Sequence, residues 1–248
     1  MSFFSVIFPA AGLSTRFGQN KLMANLKGQP VLVHVLNVFL PREDVYEVVI
    51  ATRDRKTLEQ AIQQLHHADE MLNSRKLRWC QGGPSRAHTV WEAARVTRSE
   101  WIAVHDAARP LVSQDLIDRT FRAALTYGAA APAMPVNLTI KQAQGPLPAP
   151  VIRTVSRETL WAMQTPQCMR RSDLLQAYEK CPVPLDQVTD DLQILELAGQ
   201  QVHLVPGEDR NIKITTPMDL EVADRWLDRS SSSGLSDFPG MESSVKRP

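Results

Sequence analysis

Cysteine is scarce in this 248-residue chain, and neither sign of charge is in marked excess. The three cysteines, Cys80, Cys168 and Cys181, are odd in number and form no CxxC pair, so a disulfide framework is not expected. The formal net charge of +1 gives no global field for nucleic acid or a membrane surface, so any anion site must be local. The run MSFFSVIF has no basic flank and is too short for a signal peptide or a membrane span. These features predict a cytoplasmic protein of enzyme size, with no nucleic-acid or membrane partner.

Several common site motifs are also missing. No GxxxxGK[ST] loop is present, and the GxGxxG fingerprint fails because Gly12 is followed by Leu13 and Ser14, with the next glycine at 18. A dehydrogenase is therefore a weak alternative. The histidines lack the spacing of zinc ligands, and no GxSxG elbow is present, so neither a zinc site nor Ser-His-Asp catalysis is favoured.

Short apolar runs alternate along the chain with helix-like segments. Strand-like runs lie at 5–10, 47–52, 77–80, 101–106, 129–135 and 201–207, and helix-like segments at 30–40, 54–65, 85–96, 114–128 and 190–199. Several of the runs are continuously apolar, which is typical of strands buried on both faces of a parallel sheet. The alternation predicts an α/β fold with a mostly parallel, doubly wound sheet.

Two segments depart from this pattern. Residues 136–156 place β-type residues on both sides of a Gly/Pro-rich tip, which predicts a protruding two-stranded β-arm. An isolated hairpin is marginally stable in water, so we expect the arm to pack on something, with a second subunit as one candidate. The C-terminal segment is Ser-rich and poor in apolar residues. We therefore predict one domain over 1–229 and a disordered tail over 230–248.

The first strand ends in FPAAGLSTRFGQNKL, residues 8–22. Loops at the carboxyl ends of strands in open α/β sheets bind ligands, and a Gly-containing loop can aim backbone N–H groups at phosphate oxygens. Arg16 would add a forked cation and Lys21 a compact one. A solvated turn with scattered cations is the alternative interpretation.

Later segments carry further candidates. In VHDAARP (104–110), Asp106 could bind Mg²⁺ or a ribose hydroxyl, or could cap a turn or pair with Arg109. In CQGGPSRAHTV (80–90), two glycines allow backbone to approach a flat base, although Ser85 could equally cap the following helix. Arg157 and Lys213 lie near the hydroxyls of Thr165 and Thr215, and together they suggest a cationic pocket for a phosphorylated acceptor.

Together, PAAGLSTRFGQNK, VHDAARP, RTVSRETLWAMQTPQ, TDDLQILELAG and NIKITTPMDL resemble the 2-C-methyl-D-erythritol 4-phosphate cytidylyltransferases of the non-mevalonate isoprenoid pathway, from about residue 4 to 228. These belong to the sugar nucleotidyltransferases. The resemblance implies a Rossmann-like domain whose β-arm locks a homodimer. It also implies that CTP, with Mg²⁺, reacts with methylerythritol phosphate to give 4-diphosphocytidyl-2-C-methyl-D-erythritol and pyrophosphate.

The resemblance also implies roles by position. Arg16 and Lys21 would contact the CTP phosphates, and Asp106 would lie near the ribose and the metal. The residues bordering the base would be Ala10, Ala11, Gly12, Gly83 and Thr89. The acceptor would be positioned by Arg109, Thr139, Arg157, Thr165, Asp209 and Lys213, with Thr139 and Arg157 reaching across from the partner's arm. Asp209 is preferred here over Glu208, and Arg157 and Lys213 join Arg16 and Lys21 as catalytic cations.

The sequence departs from the family pattern in three places. The loop between Gly12 and Lys21 is shorter than usual, Asn20 replaces a common proline, and Pro84 occupies a position that is usually acidic. Pro84 also removes a backbone donor near the base. Two alternatives stay open: a cytidylyltransferase for a pentitol phosphate such as ribitol 5-phosphate, and a catalytically silent nucleotide-binding module.

Overall fold

The structure, a computed structural model, describes residues 2–12, 17–18, 20–64 and 68–232, the last four by their backbone alone. The strands of this part of the chain are β1 (Phe4–Pro9), β2 (Asn25–Leu26), β3 (Gln29–Pro30), β4 (Val45–Thr52), β5 (Leu77–Gln81), β6 (Trp101–Val104), β7 (Ala129–Pro135), β8 (Ile140–Ala143), β9 (Val151–Val155), β10 (Trp161–Met163), β11 (Gln167–Arg170) and β12 (His203–Pro206). The helices are α1 (Val31–Phe39), α2 (Arg55–Gln63), α3 (Ala68–Leu72), α4 (Arg86–Val96), α5 (Gln114–Tyr127), α6 (Arg171–Glu179), α7 (Asp191–Leu197) and α8 (Pro217–Ser232), with a 3₁₀ helix at Lys21–Met23.

The central sheet has eight strands and is mostly parallel. Its core runs in the order β5-β4-β1-β6, and every neighbouring pair in this core is parallel. Strand β11 pairs antiparallel with both β6 and β7, β10 pairs antiparallel with β7, and β12 runs parallel to β7. The predicted α/β class is confirmed, whereas the antiparallel strands β10 and β11 were not predicted from the sequence.

Helices cover both faces of the sheet. Val6 and Phe8 of β1 pack in one apolar cluster with residues of α1, α2, α5 and α8. Ile7, between them, packs in a second cluster with residues of α4, α6 and α7. All three side chains are fully buried, and burying a side chain of this size stabilises a fold by about 1.5–3 kcal/mol. Burial on both faces explains why the central strands are mainly apolar on both sides of the sheet.

Local signals account for several helix ends. Asp54 caps α2 by accepting a hydrogen bond from the backbone N–H of Thr57 at 3.1 Å. Ser113 caps α5 in the same way, through the N–H of Leu116 at 3.0 Å. The C-terminal end of α5 is Gly128, whose φ of 90° lies in the region that favours glycine.

The predicted β-arm is present as a separate two-stranded antiparallel sheet of β8 and β9. Its apolar side chains are unusually exposed: Leu138 by 77%, Leu147 by 84%, Val151 by 58% and Ile152 by 56%. A patch of exposed apolar side chains often marks a surface that binds another molecule.

Some elements lie outside the sequence prediction. Helices α3, α6 and α8 and the β2–β3 hairpin were not expected, and β6 ends at Val104, so Asp106 lies just beyond its strand. Helix α8 continues to Ser232, and residues 233–248 lie outside the described ranges, so the disordered tail stays a prediction. No helix among the described residues has the length and apolarity needed to cross a membrane.

Candidate active site

A cavity of about 270 Å³ opens at the carboxyl ends of the parallel strands. Its walls come from the segments that follow β1, β4, β5 and β6, together with the 3₁₀ helix and the segment after β12. The lining residues are Pro9, Ala10, Ala11, Gly12, Lys21, Leu22, Arg53, Gly83, Pro84, Ser85, Arg86, Thr89, Asp106, Ala107, Ala108, Lys213 and Thr215. This is the position at which open α/β sheets bind their ligands.

Small residues bring two of these loops into direct contact. A Cβ atom added at Gly82 would lie 2.5 Å from the Cβ of Ala11, so only glycine allows the two loops to pack. A Cβ at Gly83 would lie 2.5 Å from the Cβ of His88. At Gly12, by contrast, an added Cβ would meet no atom of the described residues within 4 Å. The glycines after β5 therefore shape the wall, whereas Gly12 leaves room for a ligand.

Hydrogen bonds of three side chains fix these loops. Thr89 accepts from the N–H of Gly83 at 3.1 Å and donates to the carbonyl of Ser85 at 2.8 Å. The Oγ of Ser85 accepts from the N–H of His88 at 3.3 Å, so the capping role considered for Ser85 is confirmed. Arg53, which sequence reasoning did not select, donates to the carbonyl of Ala11 from Nη2 at 2.9 Å. These side chains hold the backbone around the cavity and leave its N–H groups in fixed positions.

Three cations converge on the Asp106 carboxylate. Lys213 Nζ lies 3.0 Å from Oδ2, Arg109 Nε lies 3.3 Å from Oδ2, and Arg86 Nε lies 3.5 Å from Oδ1. Burial alone would raise the pKa of Asp106, but Arg86, Lys213 and Arg109 outweigh it and hold this pKa well below its usual range. Asp106 is therefore ionised at any physiological pH. The pairing with Arg109 considered from the sequence is confirmed.

Behind Asp106, His105 is completely buried and neutral. Its Nε2 lies 3.2 Å from the carbonyl of Arg109, which can only accept, so Nε2 carries the proton. Its Nδ1 therefore accepts from the hydroxyl of Thr165 at 3.1 Å, and the same hydroxyl accepts from the N–H of Asp106 at 3.1 Å. Burial lowers the pKa of His105 to about 4. The hydrogen bonds of His105 and Thr165 thus fix the turn that carries Asp106.

The structure brings most of the predicted nucleotide residues together, since Ala10, Ala11, Gly12, Lys21, Gly83, Thr89 and Asp106 all line the cavity, and Lys213, which was predicted for the acceptor, lines it too. Arg109 and Thr165 are buried behind it, and Arg109 also donates to the carbonyl of Asn211 at 2.7 Å. Arg16 lies outside the described residues.

The other predicted acceptor residues do not line the cavity. Thr139 and Arg157 are exposed on the arm segment, where Arg157 donates to the carbonyl of Asn137. Asp209 is also exposed, whereas Glu208 accepts from Ser113 at 2.8 Å and pairs with Arg119. Glu208 therefore has an internal role, which is consistent with the preference for Asp209.

Besides Arg53, sequence reasoning missed two charged residues, Arg86 and Asp191. Arg86 begins α4 and lines the cavity, and its Nη2 lies 2.8 Å from Oδ2 of the fully buried Asp191 on α7. A signal was present in the sequence. Asp191 precedes Ile194 and Leu195 by three and four positions, so it shares the apolar face of its helix. A carboxylate in that position requires a buried cationic partner.

The family to which this geometry belongs is decided by comparison with known proteins. The family described as IspD, 2-C-methyl-D-erythritol 4-phosphate cytidylyltransferase, matches residues 4–229. The chain belongs to this family. A 2-C-methyl-D-erythritol 4-phosphate cytidylyltransferase from Bacillus velezensis is 37% identical over 232 residues, which cover 91% of this chain and 96% of the relative. One from Bacillus pumilus is 35% identical over 230 residues, with 91% and 97% covered.

Solved structures of cytidylyltransferases agree with this assignment. The 2-C-methyl-D-erythritol 4-phosphate cytidylyltransferase of Francisella tularensis superposes with a TM-score of 0.75 at 31% identity, covering 91% of this chain and 99% of that one. The 4-diphosphocytidyl-2C-methyl-D-erythritol synthase of Anaerococcus prevotii gives a TM-score of 0.76 at 26% identity, with 92% and 97% covered. Each superposition covers more than nine tenths of this chain, so the cytidylyltransferase fold is shared over most of its length.

The side chains of this cytidylyltransferase cavity indicate how a metal ion would be held. Among the described residues, no group of three or more His, Cys, Asp or Glu side chains could hold one. Asp106 is the carboxylate that lines the cavity in the described part of the chain, and each of its oxygens faces a cation. Mg²⁺ commonly binds through one or two carboxylates together with substrate phosphates and water. The site therefore fits a metal that is held mainly by a nucleotide, not a dedicated protein cage.

Proposed function

We propose that this protein transfers the CMP moiety of CTP to 2-C-methyl-D-erythritol 4-phosphate, giving 4-diphosphocytidyl-2-C-methyl-D-erythritol and pyrophosphate in isoprenoid precursor biosynthesis. The observation that carries the proposal is a cavity at the ligand-binding edge of a cytidylyltransferase sheet, lined by Lys21, Arg86 and Lys213 and, in the described part of the chain, by a single carboxylate, Asp106, which pairs with Arg86 and Lys213. Cations outnumber carboxylates there, so the site suits a triphosphate and a second phosphorylated substrate.

CTP occupies the cavity between the loop after β1 and the loop after β5. Ala10, Ala11 and Gly12 keep one wall free of bulk, and the backbone at Gly83 borders the space for the base. Lys21, with Arg16 in the segment outside the described residues, supplies positive charge to the phosphates. Asp106 lies deepest in this set, where it accepts from a ribose hydroxyl or joins the phosphates in holding Mg²⁺.

The reaction is a displacement at the α-phosphorus of CTP. A phosphate oxygen of the acceptor forms the new P–O bond as the bond between the α-phosphorus and the bridging oxygen to the β-phosphate breaks, and pyrophosphate leaves. The attacking oxygen is already anionic, so no general base is required. This agrees with the cavity lining, which holds no histidine in the described part of the chain, while His105 behind it is completely buried.

Catalysis then rests on positioning two anions and neutralising the charge of the pentavalent state. Lys21 and Lys213 lie on the cavity wall for this purpose, and Asp106 holds the Lys213 ammonium in place. Mg²⁺, when bound with the nucleotide, supplies further positive charge to its phosphates. The protein's own share of the effect comes from cations whose positions are set before the substrates bind.

The acceptor site draws on the arm. Thr139 and Arg157 are exposed and do not line the cavity of their own chain, which supports a homodimer in which each arm completes the partner's site. The exposed apolar side chains of β9, Val151 and Ile152, are suitable for burial in such an interface. Arg109 pairs with the Asp106 carboxylate and Thr165 accepts from the Asp106 N–H, so both residues act on the site by holding Asp106. The exposed Asp209 lies on the segment that leads to Lys213.

A panel of acceptors tests the proposed function. Purified protein, CTP and Mg²⁺ are combined with 2-C-methyl-D-erythritol 4-phosphate, ribitol 5-phosphate or no acceptor, and pyrophosphate release is measured. We expect pyrophosphate release only when 2-C-methyl-D-erythritol 4-phosphate is the acceptor. A Lys21→Ala preparation should release none, and it controls for contaminating enzymes. Pyrophosphate release only with ribitol 5-phosphate would reassign the acceptor. CTP binding without pyrophosphate release, whichever acceptor is present, would make the protein a silent nucleotide-binding module.

A further inference from the structure

Asp191 is a fully buried carboxylate at the start of α7, next to the residue that caps this helix. Asp190 fulfils the capping role, since its side chain accepts from the N–H of Gln193 at 2.9 Å. Asp191 is therefore not needed as the helix cap. Its neighbours on the buried face of α7 are apolar, and a lone carboxylate among them would be costly to desolvate. Its presence in the fold requires a different explanation.

The contacts of Asp191 point towards the cavity. Its Oδ2 lies 2.8 Å from Nη2 of Arg86, and its Oδ1 is 3.5 Å from the hydroxyl of Tyr178. Its own N–H donates to the Oε1 of Gln167 at 3.0 Å, which fixes the start of the helix against β11. Burial raises the pKa of Asp191, and Arg86 opposes this rise. The principal partner of this carboxylate is thus a cation of the candidate active site.

Arg86 is held between two carboxylates on separate elements. Its Nη2 faces Asp191 on α7, while its Nε lies 3.5 Å from Oδ1 of Asp106, beyond the end of β6. Because a guanidinium is planar and rigid, contacts at two of its nitrogens determine the direction of the whole group. The side chain stays 29% exposed, and it lines the cavity. A cation is therefore presented to the ligand space in one orientation.

We propose that Asp191 is a positioning residue for cytidylyl transfer: it fixes the Arg86 guanidinium so that Arg86 contacts the phosphates of the bound nucleotide. This inference rests on the proposed function for the reaction, but its nucleotide-binding part stands independently. Without Asp191, Arg86 would keep Asp106 as its partner and could turn out of the orientation that the ligand needs. Small errors in the placement of a charged group cost much activity, since a displacement of about 1 Å can reduce a rate roughly a hundredfold.

The test compares two isosteric substitutions on adjacent residues. Asp191→Asn removes the charge that faces Arg86. Asp190→Asn makes the same chemical change at the cap, where asparagine still accepts from the N–H of Gln193 and loses only the contact from Gln167 Nε2, which does not touch Arg86. For each, CTP binding is measured by calorimetry with Mg²⁺ present, and KM is measured for each substrate. We expect Asp191→Asn to weaken CTP binding and to lower kcat/KM for CTP by roughly tenfold or more, while KM for the acceptor stays unchanged. Asp190→Asn should match the parent protein in CTP binding and in both KM values.

A double-mutant cycle separates positioning from folding. Arg86→Gln alone leaves a buried carboxylate uncompensated, so the thermal midpoint of each variant is recorded and Arg86→Gln/Asp191→Asn completes the cycle. If Asp191 acts through Arg86, adding Asp191→Asn to Arg86→Gln weakens CTP binding no further. Additive losses, or an Asp191→Asn protein that binds CTP like Asp190→Asn, would overturn the inference. If the parent protein binds CTP but transfers nothing, the proposed function fails while the binding cycle still decides the role of Asp191.

Discussion

Lys213 Nζ lies 3.0 Å from Asp106 Oδ2, although the two residues come from opposite halves of the chain. The backbone reinforces this contact, since the N–H of Ile214 donates to the carbonyl of Ala108 at 2.8 Å. The segment after β12 is thus fastened across the end of β6, and it closes one side of the cavity. Lys213 keeps about a third of its side chain exposed, 36%, so it can serve Asp106 and a ligand together.

Lys213 is the first point at which to test the cavity. Lys213→Gln removes a cation beside the reacting phosphates, and we expect kcat to fall roughly a hundredfold, which corresponds to about 3 kcal/mol of lost charge stabilisation. Asp106 keeps Arg86 and Arg109, so the protein should still fold. Lys180→Gln, an exposed lysine that does not line the cavity, is the matched control. Activity of Lys213→Gln within the range of this control would exclude Lys213 from the reaction.

Two glycine substitutions should separate ligand space from loop packing. Gly12→Ala adds a Cβ that meets no atom of the described residues within 4 Å, so we expect an unchanged thermal midpoint and weaker CTP binding. Gly82→Ala places a Cβ 2.5 Å from that of Ala11 and forces the two loops apart, so it should lower the midpoint as well as CTP affinity. Calorimetric titration and thermal unfolding of both variants check this. Equal midpoints for the two would contradict the packing role of Gly82.

The central part of the fold could be predicted because its strands are buried on both faces. The runs at 47–52 and 129–135 have no polar face, and they form β4 and β7 close to the expected bounds. Strands β10 and β11 have only three and four residues, too few for a periodicity to be recognised. Their antiparallel pairing with β7 depends on the path of the chain between them, which no local pattern encodes.

The residues of the candidate site could likewise be predicted only in part. Lys21 and Asp106 follow strands in sequence, so the rule that ligands bind at strand ends selected them correctly as lining residues. Arg86 looked like an ordinary helix residue, because its importance comes from Asp106 and Asp191, which the fold brings to it from two other elements. Arg16 lies outside the described residues, so its role stays a prediction.

The arm offers a test of acceptor recognition. Arg157→Ala should raise KM for the acceptor phosphate by roughly tenfold to a hundredfold, the value of a charge-assisted contact, and leave CTP affinity unchanged. Arg153→Ala is the matched control on the same arm, where its side chain donates to Gln142 at 2.8 Å. Initial rates against each substrate check both variants. An equal loss of CTP binding in Arg157→Ala would contradict a separate acceptor site.

The same arm carries the proposed dimer. Ile152→Lys places a charge on its exposed apolar surface, so we expect a monomer by sedimentation, together with lost transfer activity and retained CTP binding. Leu125→Lys, at a partly exposed apolar residue of α5, is the control and should keep the parent's sedimentation behaviour. A parent protein that already sediments as a monomer, yet is fully active, would rule out an arm that completes the partner's site.

His105 makes stability depend on pH in a predictable direction. The native pKa is lowered to about 4, whereas an unfolded histidine titrates near 6.5, so below about pH 6.5 the unfolded chain binds a proton that the native protein does not. Stability should therefore fall between about pH 6.5 and 4, by about 3 kcal/mol in all, while the loss due to Asp106 begins only below about pH 4. Urea unfolding across this range measures the slope. His105→Gln, which cannot titrate, should be less stable at pH 7 but show a shallower slope, and a parallel slope would place the titrating group elsewhere.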